Sequence, residues 1–177
     1  MISAIAAVDS NYGVGYNGEL LCHIKEDLKR FKELTTNNIV VMGRKTWDSL
    51  PIKPLQNRVN IVITNSVDGA EFDKENYTVF MNLNQLKNTI NMLGKMYNIY
   101  IIGGGQIYKE LLPYCEYIHL TNIQKSFENV DTYFPKIEIN EWELLDTEYK
   151  ETDELSYRFE IYKRKEKRSG QIYNIYN

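Results

Sequence analysis

Asp27 is the first residue of this chain whose type and place could do chemistry. Ile24, Leu28, Phe31 and Thr35 recur three or four apart, an apolar helical stripe, while Lys29, Arg30, Lys32 and Glu33 fall on the other side. Asp27 shares the apolar stripe. A carboxylate facing an apolar wall has its proton affinity raised by desolvation, and such a group suits a general acid or a proton relay. A structural use is open too, because acidic residues near a helix N-terminus interact well with the dipole; Glu26, turned outward, serves that purpose equally. No second inward carboxylate lies close in sequence, so a glycosidase-like acid pair is not indicated.

Two turns have phosphate chemistry. Gly43-Arg44-Lys45-Thr46 follows the apolar run Ile39–Met42 and opens the short segment Thr46–Leu50. A strand, a tight turn, a helix start and two cations make an anion site, although a basic turn on a solvated surface reads the same way. Gly103-Gly104-Gly105 follows Ile99–Ile102 and is not the GxGxxG fingerprint. Alone it marks a tight turn; at a strand end feeding a helix it lets a pyrophosphate approach the backbone. Together the two turns suggest a dinucleotide lying across the strand ends. The polar stretch Asn11–Glu19, with Gly13, Gly15 and Gly18, is a candidate lid. Arg58, just before Val59–Thr64, is either a bidentate carboxylate clamp or a surface residue.

The elements that must position these groups alternate. Dense apolar runs at Ile2–Val8, Ile39–Met42, Val59–Thr64, Tyr77–Met81 and Ile99–Ile102 read as strands covered on both faces. Helical patterns lie between them: the stripe from Ile24 to Thr35, Asn84–Leu93, and Gly105–Leu112 closed by Pro113. This is an α/β fold with a largely parallel sheet. Tyr117–Ile123, Glu141–Tyr149 and Ser156–Lys163 follow without helices, so antiparallel pairing finishes the sheet. Residues 165–177 read as an appended polar tail.

Composition narrows the class. The 177 residues are 43% hydrophobic and 25% charged, as in an ordinary globular domain, and the net charge of −3 argues against a nucleic-acid footprint. Cys22 and Cys115 form no short-spaced motif, and two histidines are too few for most zinc patterns, so no metal is expected. The apolar start has no basic leader and is stopped by Asp9, and no run approaches the ~20 apolar residues of a membrane span. The expectation is a soluble, cytoplasmic protein of a reducing compartment, without membrane or nucleic-acid partners.

Seven segments carry a resemblance. They are Met1-Ile2-Ser3-Ala4-Ile5-Ala6-Ala7, Val14-Gly15-Tyr16-Asn17-Gly18-Glu19-Leu20, Glu26-Asp27-Leu28-Lys29-Arg30-Phe31-Lys32 and Val41-Met42-Gly43-Arg44-Lys45-Thr46-Trp47. Arg58-Val59-Asn60-Ile61-Val62-Ile63-Thr64, Ile101-Ile102-Gly103-Gly104-Gly105-Gln106-Ile107-Tyr108 and Asp131-Thr132-Tyr133-Phe134-Pro135 continue them. In that order and spacing the chain, over residues 1 to 164, resembles the dihydrofolate reductase family. The resemblance implies an eight-stranded, mainly parallel mixed sheet flanked by helices, with NADPH and folate in a cleft. It implies NADPH-dependent reduction of 7,8-dihydrofolate to tetrahydrofolate, with hydride delivered to C6 and a proton to N5, in support of one-carbon metabolism and thymidylate synthesis. Antifolates would bind the same cleft, and a monomer is expected.

The resemblance also assigns residues. Asp27 matches the pocket carboxylate that anchors the pterin, and Thr121 the threonine bonded to it. Ile5, Leu28, Phe31, Leu50, Leu55 and Ile102 match substrate contacts, Arg58 the clamp on the glutamate α-carboxylate, and Lys32 and Lys53 fall near that tail. Ala7 and Ile102 would line the nicotinamide pocket, with Tyr108 close by. The lid residues Val14, Gly15, Asn17, Gly18 and Glu19 would contact the cofactor. So would Gly43, Arg44, Lys45, Thr46, Thr64, Asn65, Gly103, Gly104, Gly105, Gln106 and Ile107, and a cis bond would fall at Gly103–Gly104. The chain departs from the family's usual Trp at Cys22, its frequent Pro at Leu21 and Lys25, and a cation of some relatives at Gln106. Two rivals remain: a pterin- or pyrimidine-type reductase, which would not need both Asp27 and Arg58, and a nucleotide-binding protein without turnover.

Overall fold

The computed structural model describes residues 1–166; all but two residues of the expected tail lie outside them. In chain order the elements are β1 (Ile2–Val8), β2 (Gly13–Tyr16), β3 (Glu19–Leu20), α1 (Lys25–Thr35), β4 (Ile39–Gly43) and α2 (Arg44–Ser49). There follow β5 (Val59–Ile63), β6 (Glu71–Asp73), β7 (Thr78–Met81), α3 (Leu83–Met96), β8 (Ile99–Gly103) and α4 (Gly105–Leu111). After a 3-10 turn at Leu112–Tyr114 come β9 (Tyr117–Ile123), β10 (Thr132–Tyr133), β11 (Trp142–Glu151) and β12 (Ser156–Arg164).

The main sheet has the order β11-β12-β9-β1-β8-β4-β5-β7-β6. Pairing is parallel from β9 through β7 and antiparallel at β11–β12, β12–β9 and β6–β7. The expected α/β architecture with antiparallel closing strands is therefore present, but the sheet has nine strands rather than eight. The additional edge strand β6 is three residues long, and its Glu71 and Phe72 are exposed, so no buried apolar run announces it. A small second sheet, β10-β2-β3, holds most of the segment read as a lid.

Local chemistry explains the helix limits. Asn82 accepts from Gln85 N while the Gln85 side chain accepts from Asn82 N, a capping box that starts α3 one residue earlier than the apolar period suggests. α2 begins at Arg44, directly after the strand, rather than at Thr46. The pattern Gly105–Leu112 ends as a 3-10 turn because Pro113 cannot continue the α-helix.

The helices divide between the two sheet faces. α3 and α4 pack Leu86, Ile90, Ile107 and Leu111 with Ile2, Ala4, Val41 and Ile101. On the opposite face Phe31 and Leu34 of α1 and Trp47 of α2 pack with Ile5, Val40, Met42, Val62 and Tyr100. At its carboxyl end β8 thus lies between β1 and β4, whose chains leave toward the other face. That is where an open α/β sheet forms a crevice for ligands.

α3 approaches β1 closely at the buried Gly94, where a Cβ would stand 2.6 Å from Ile2 Cγ1 and 2.9 Å from its Cδ1. Gly94→Ala should gain up to ~1 kcal/mol in helix propensity and lose about 1–3 kcal/mol to overpacking. The expected result is a lower urea midpoint at unchanged slope, with partial rescue by Ile2→Ala.

Candidate functional site

The first turn of α1 sets the carboxylate. Ile24 caps it without a side-chain hydrogen bond, and Glu26 and Asp27 supply the negative charge that the helix start favours. The two then divide. Tyr157 Oη on β12 donates to Glu26 Oε2 at 2.8 Å, fastening the turn to the sheet, while Asp27 turns inward. Thr121 Oγ1, on β9 and only 1% exposed, donates to Asp27 Oδ1 at 2.5 Å. Burial pushes the Asp27 carboxyl above the usual carboxylate range; the Thr121 bond and the Arg30 charge pull the other way without cancelling it.

Around this group lies an apolar wall. Thr121 stands opposite Ala7 in the β1–β9 register, and Ile5 is two residues back on β1, so the three share one face. Ile5 belongs to one cluster with Phe31, Leu50, Leu55 and Ile102. Leu28, expected on the buried stripe, is 44% exposed beside Asp27, although Ile24, Phe31 and Thr35 of the same stripe meet the sheet.

Arg58 is placed by α1. Its Nε donates to Thr35 Oγ1 and its Nη1 to Gln56 O, both at 2.7 Å, with the guanidinium carbon 5.7 Å from the Phe31 ring centroid. Thr35 Oγ1 itself donates to Phe31 O at 2.7 Å. The half-buried guanidinium therefore sits in a fixed orientation at one end of the apolar wall. Lys53 does not join it: Nζ donates to Asp48 O at 3.1 Å and Trp47 O at 3.4 Å, capping α2. Lys32 is exposed.

The glycine edge lies at the carboxyl ends of β4 and β8. The Gly103–Gly104 peptide is cis, and Gly103 has φ +123°, a conformation that L side chains rarely adopt. A Cβ on Gly43 would lie 3.0 Å from Ile107 Cγ1 and 3.8 Å from Gly104 N, and one on Gly104 would lie 3.3 Å from Thr46 Oγ1. The two phosphate-competent turns, 60 positions apart in sequence, thus meet, and side chains there would fill the space between them. Arg44 and Lys45 are exposed at this edge. Arg44 Nε donates to both Asp48 oxygens, at 3.0 and 3.1 Å.

The comparisons with known proteins agree with this geometry. The family model for dihydrofolate reductase matches residues 1–164. A Bacillus subtilis dihydrofolate reductase is 36% identical over 93% of this chain and 95% of its own, and one from Heliothis virescens is 37% identical over 92% and 97%. A solved structure of the Enterococcus faecalis enzyme complexed with NADP(H) superposes with a TM-score of 0.78 at 33% identity, covering 94% and 97% of the two chains. The chain belongs to the dihydrofolate reductase family. It is an NADPH-dependent oxidoreductase that reduces dihydrofolate. The residues present fit the cofactor: the Cβ-free edge admits a backbone-hugging pyrophosphate, and the exposed Arg44–Lys45 pair suits an anion.

Several residues that the dihydrofolate reductase resemblance assigned to NADPH are occupied elsewhere. Tyr108 is 2% exposed; its Oη donates to Ile5 O at 2.8 Å and its ring packs on Phe134, so it braces β1 from the far face. Ile107 is buried behind Gly43. Gln106 Nε2 donates to Glu110 Oε1 at 2.9 Å. Thr64 Oγ1 accepts from Ser66 N at 3.2 Å, while Asn65 is exposed and borders an open groove of about 460 Å³ with Asp68, Asn82 and Asn84. Cys22 is half-buried against the cluster of Ile24, Ile123, Tyr157 and Phe159, and burial, with the Asp27 charge, raises its thiol above the ordinary value. Leu20 is exposed.

Sequence reasoning missed two carboxylates that hold the lid. Asp9 is 2% exposed; its Oδ1 accepts from Asn11 N and Gly13 N at 2.8 and 2.7 Å, and its Oδ2 from Phe127 N at 3.1 Å. Asp131 Oδ2 accepts from Asn17 N at 2.8 Å, and Asp131 N donates to Gly15 O at 3.1 Å. Within this frame Val14 is half-buried, Gly18 takes φ +82° in the hairpin turn, and Glu19 is exposed. An acidic residue ending an apolar strand was the only local signal for Asp9.

Arg44→Ala should lower affinity for NADPH about tenfold while leaving NADH nearly unchanged, since only NADPH carries the 2′-phosphate. Titrating both cofactors checks this, and parallel losses would deny Arg44 a discriminating role.

Proposed function

We propose the following division of labour for the reduction of 7,8-dihydrofolate. Asp27 binds the pterin ring and supports the protonated state at N5, and Thr121 holds its carboxyl in place. Ile5, Leu28, Phe31, Leu50, Leu55 and Ile102 exclude water around the ring and benzoyl group. Arg58 grips the glutamate α-carboxylate, a role supported by its fixed orientation on Thr35. The glycine edge and the Arg44–Thr46 turn carry the pyrophosphate and adenosine phosphate, with Ala7 beside the nicotinamide. The bound nicotinamide supplies the hydride that reaches the pterin C6. Residues 1–164 form the working unit, which the extent of the family match supports. The protein acts as a cytoplasmic monomer that also accepts antifolates; no helix among the described residues is long and apolar enough to cross a membrane, and the net charge of −3 argues against nucleic acid as a partner.

The observation that carries this reading is the Asp27–Thr121 bond at 2.5 Å within an apolar wall. A desolvated carboxyl keeps its proton to higher pH than a solvated one, which suits it to sustain a protonated partner near neutrality. Loss of NADPH absorbance on addition of dihydrofolate, blocked by methotrexate, tests the activity directly.

Asp27→Asn should retain NADPH binding and slow reduction by about 10²–10⁴ at neutral pH. The deficit should shrink in acid, where solvent protonates the substrate beforehand. Full activity at neutral pH would remove Asp27 from the mechanism.

Arg58→Ala should weaken folate binding roughly tenfold or more, the worth of hydrogen bonds to a charged group. Binding of pterins lacking the glutamate should barely change. Equal losses for the two ligand classes would mark Arg58 as structural.

A further inference from the structure

Arg30 has a place that the sequence pattern does not foretell. The period set it among the solvated lysines of α1, yet the structure turns its guanidinium inward, 4.8 Å over the Phe159 ring of β12. Phe159 stands opposite Thr121 in the β9–β12 register, and Thr121 holds Asp27. Arg30 also follows Asp27 by three residues, so the two side chains are neighbours on the helix. Its Nη1 is buried without a hydrogen-bond partner among the described residues. A buried guanidinium N–H without a partner costs stability, while the charge it belongs to still acts on neighbouring groups.

We propose that Arg30 is a positioning residue for the reaction, its charge favouring ionisation of Asp27 from the far side of Thr121 and thereby setting how high in pH turnover persists. The inference rests on the role given to Asp27 above. The other groups around that carboxyl do not supply a competing cation. His119 on β9 is pushed down to about 4 by burial and by Arg30 itself, so it is neutral near pH 7. Cys22, preceding α1, has its thiol raised by burial and by the Asp27 charge. Tyr108 of α4 and Tyr157 of β12 are both raised by burial and remain neutral. Glu26 is bonded to Tyr157, and Lys125 acts on Cys22. From β11, Glu148 and Asp146 act on Arg30 and help keep it protonated.

Removing the positive charge disfavours the Asp27 carboxylate, so its proton persists to higher pH. In Arg30→Gln the falling limb of the pH–rate profile should move upward by roughly one pH unit. Arg30→Met, which retains packing on Phe159, gives the same reading should the Gln variant fail to fold. Arg30→Lys should restore the limb. NADPH affinity should not change in any of the three. The Asp27 carboxyl carbon, followed by NMR in the protein without ligands, should titrate later in the neutral variants and near the wild-type position in Arg30→Lys. An unmoved limb and carboxyl titration in a folded neutral variant would overturn the proposal, as would equal displacement in Arg30→Lys. Asp27→Asn run alongside separates the two ideas: slow reduction there with an unmoved limb in Arg30→Gln refutes only the role of Arg30.

Discussion

A carboxyl withdrawn from water must be matched by its surroundings, and in this protein the match is the Thr121 hydroxyl reaching Asp27 across the gap between α1 and β9. The contact asks much of the fold. The first turn of α1 must be fixed in rotation, which the Tyr157–Glu26 bond accomplishes from the adjacent residue. β9 must lie parallel beside β1 so that Thr121 and Ala7 share a face. Burial then does the chemical work, raising the proton affinity of a group that would otherwise ionise well below neutrality.

The opposite requirement governs the cofactor edge. There the backbone must be approachable, so side chains are absent where β4 and β8 end. Gly43 and Gly104 face each other so closely that Cβ atoms would press on Ile107 and Thr46. The crevice exists because chains leave β8 toward one face and β1 and β4 toward the other. Tyr108 shows how the two regions are joined: from beneath, its hydroxyl holds the Ile5 carbonyl of β1 while its ring lies against the place where a Gly103 side chain would stand.

The segment Asn11–Glu19 is organised by carboxylates of another kind. Asp9 and Asp131 accept backbone N–H groups and give the Asn11–Glu19 segment defined ends. Such polar pinning orders the chain through its backbone, while Tyr12 and Val14 tie the segment to the core. At Asp131 the backbone bonds, and the Thr132 hydroxyl, hold the carboxyl below its usual range.

Much of this was legible in the chain itself. Apolar runs and helical periods are local signals, and they located the parallel core strands, α1, α3 and α4, the two phosphate-competent turns, and Asp27 on an apolar face. The spacing of Gly43-Arg44-Lys45-Thr46 and of the glycine triplet singled out two turns that the sheet then brings together. What only the tertiary structure decided involves partners distant in sequence or rotations smaller than a helical turn. Thr121 reaches Asp27 across 94 positions, the edge strand β6 exists through pairing with β7, and Asp9 is a hub because Phe127 arrives beside it. Arg30 turned inward over Phe159 and Leu28 stayed exposed, and a period of 3.6 residues could not tell them apart, because it names a face without saying how far its cover extends.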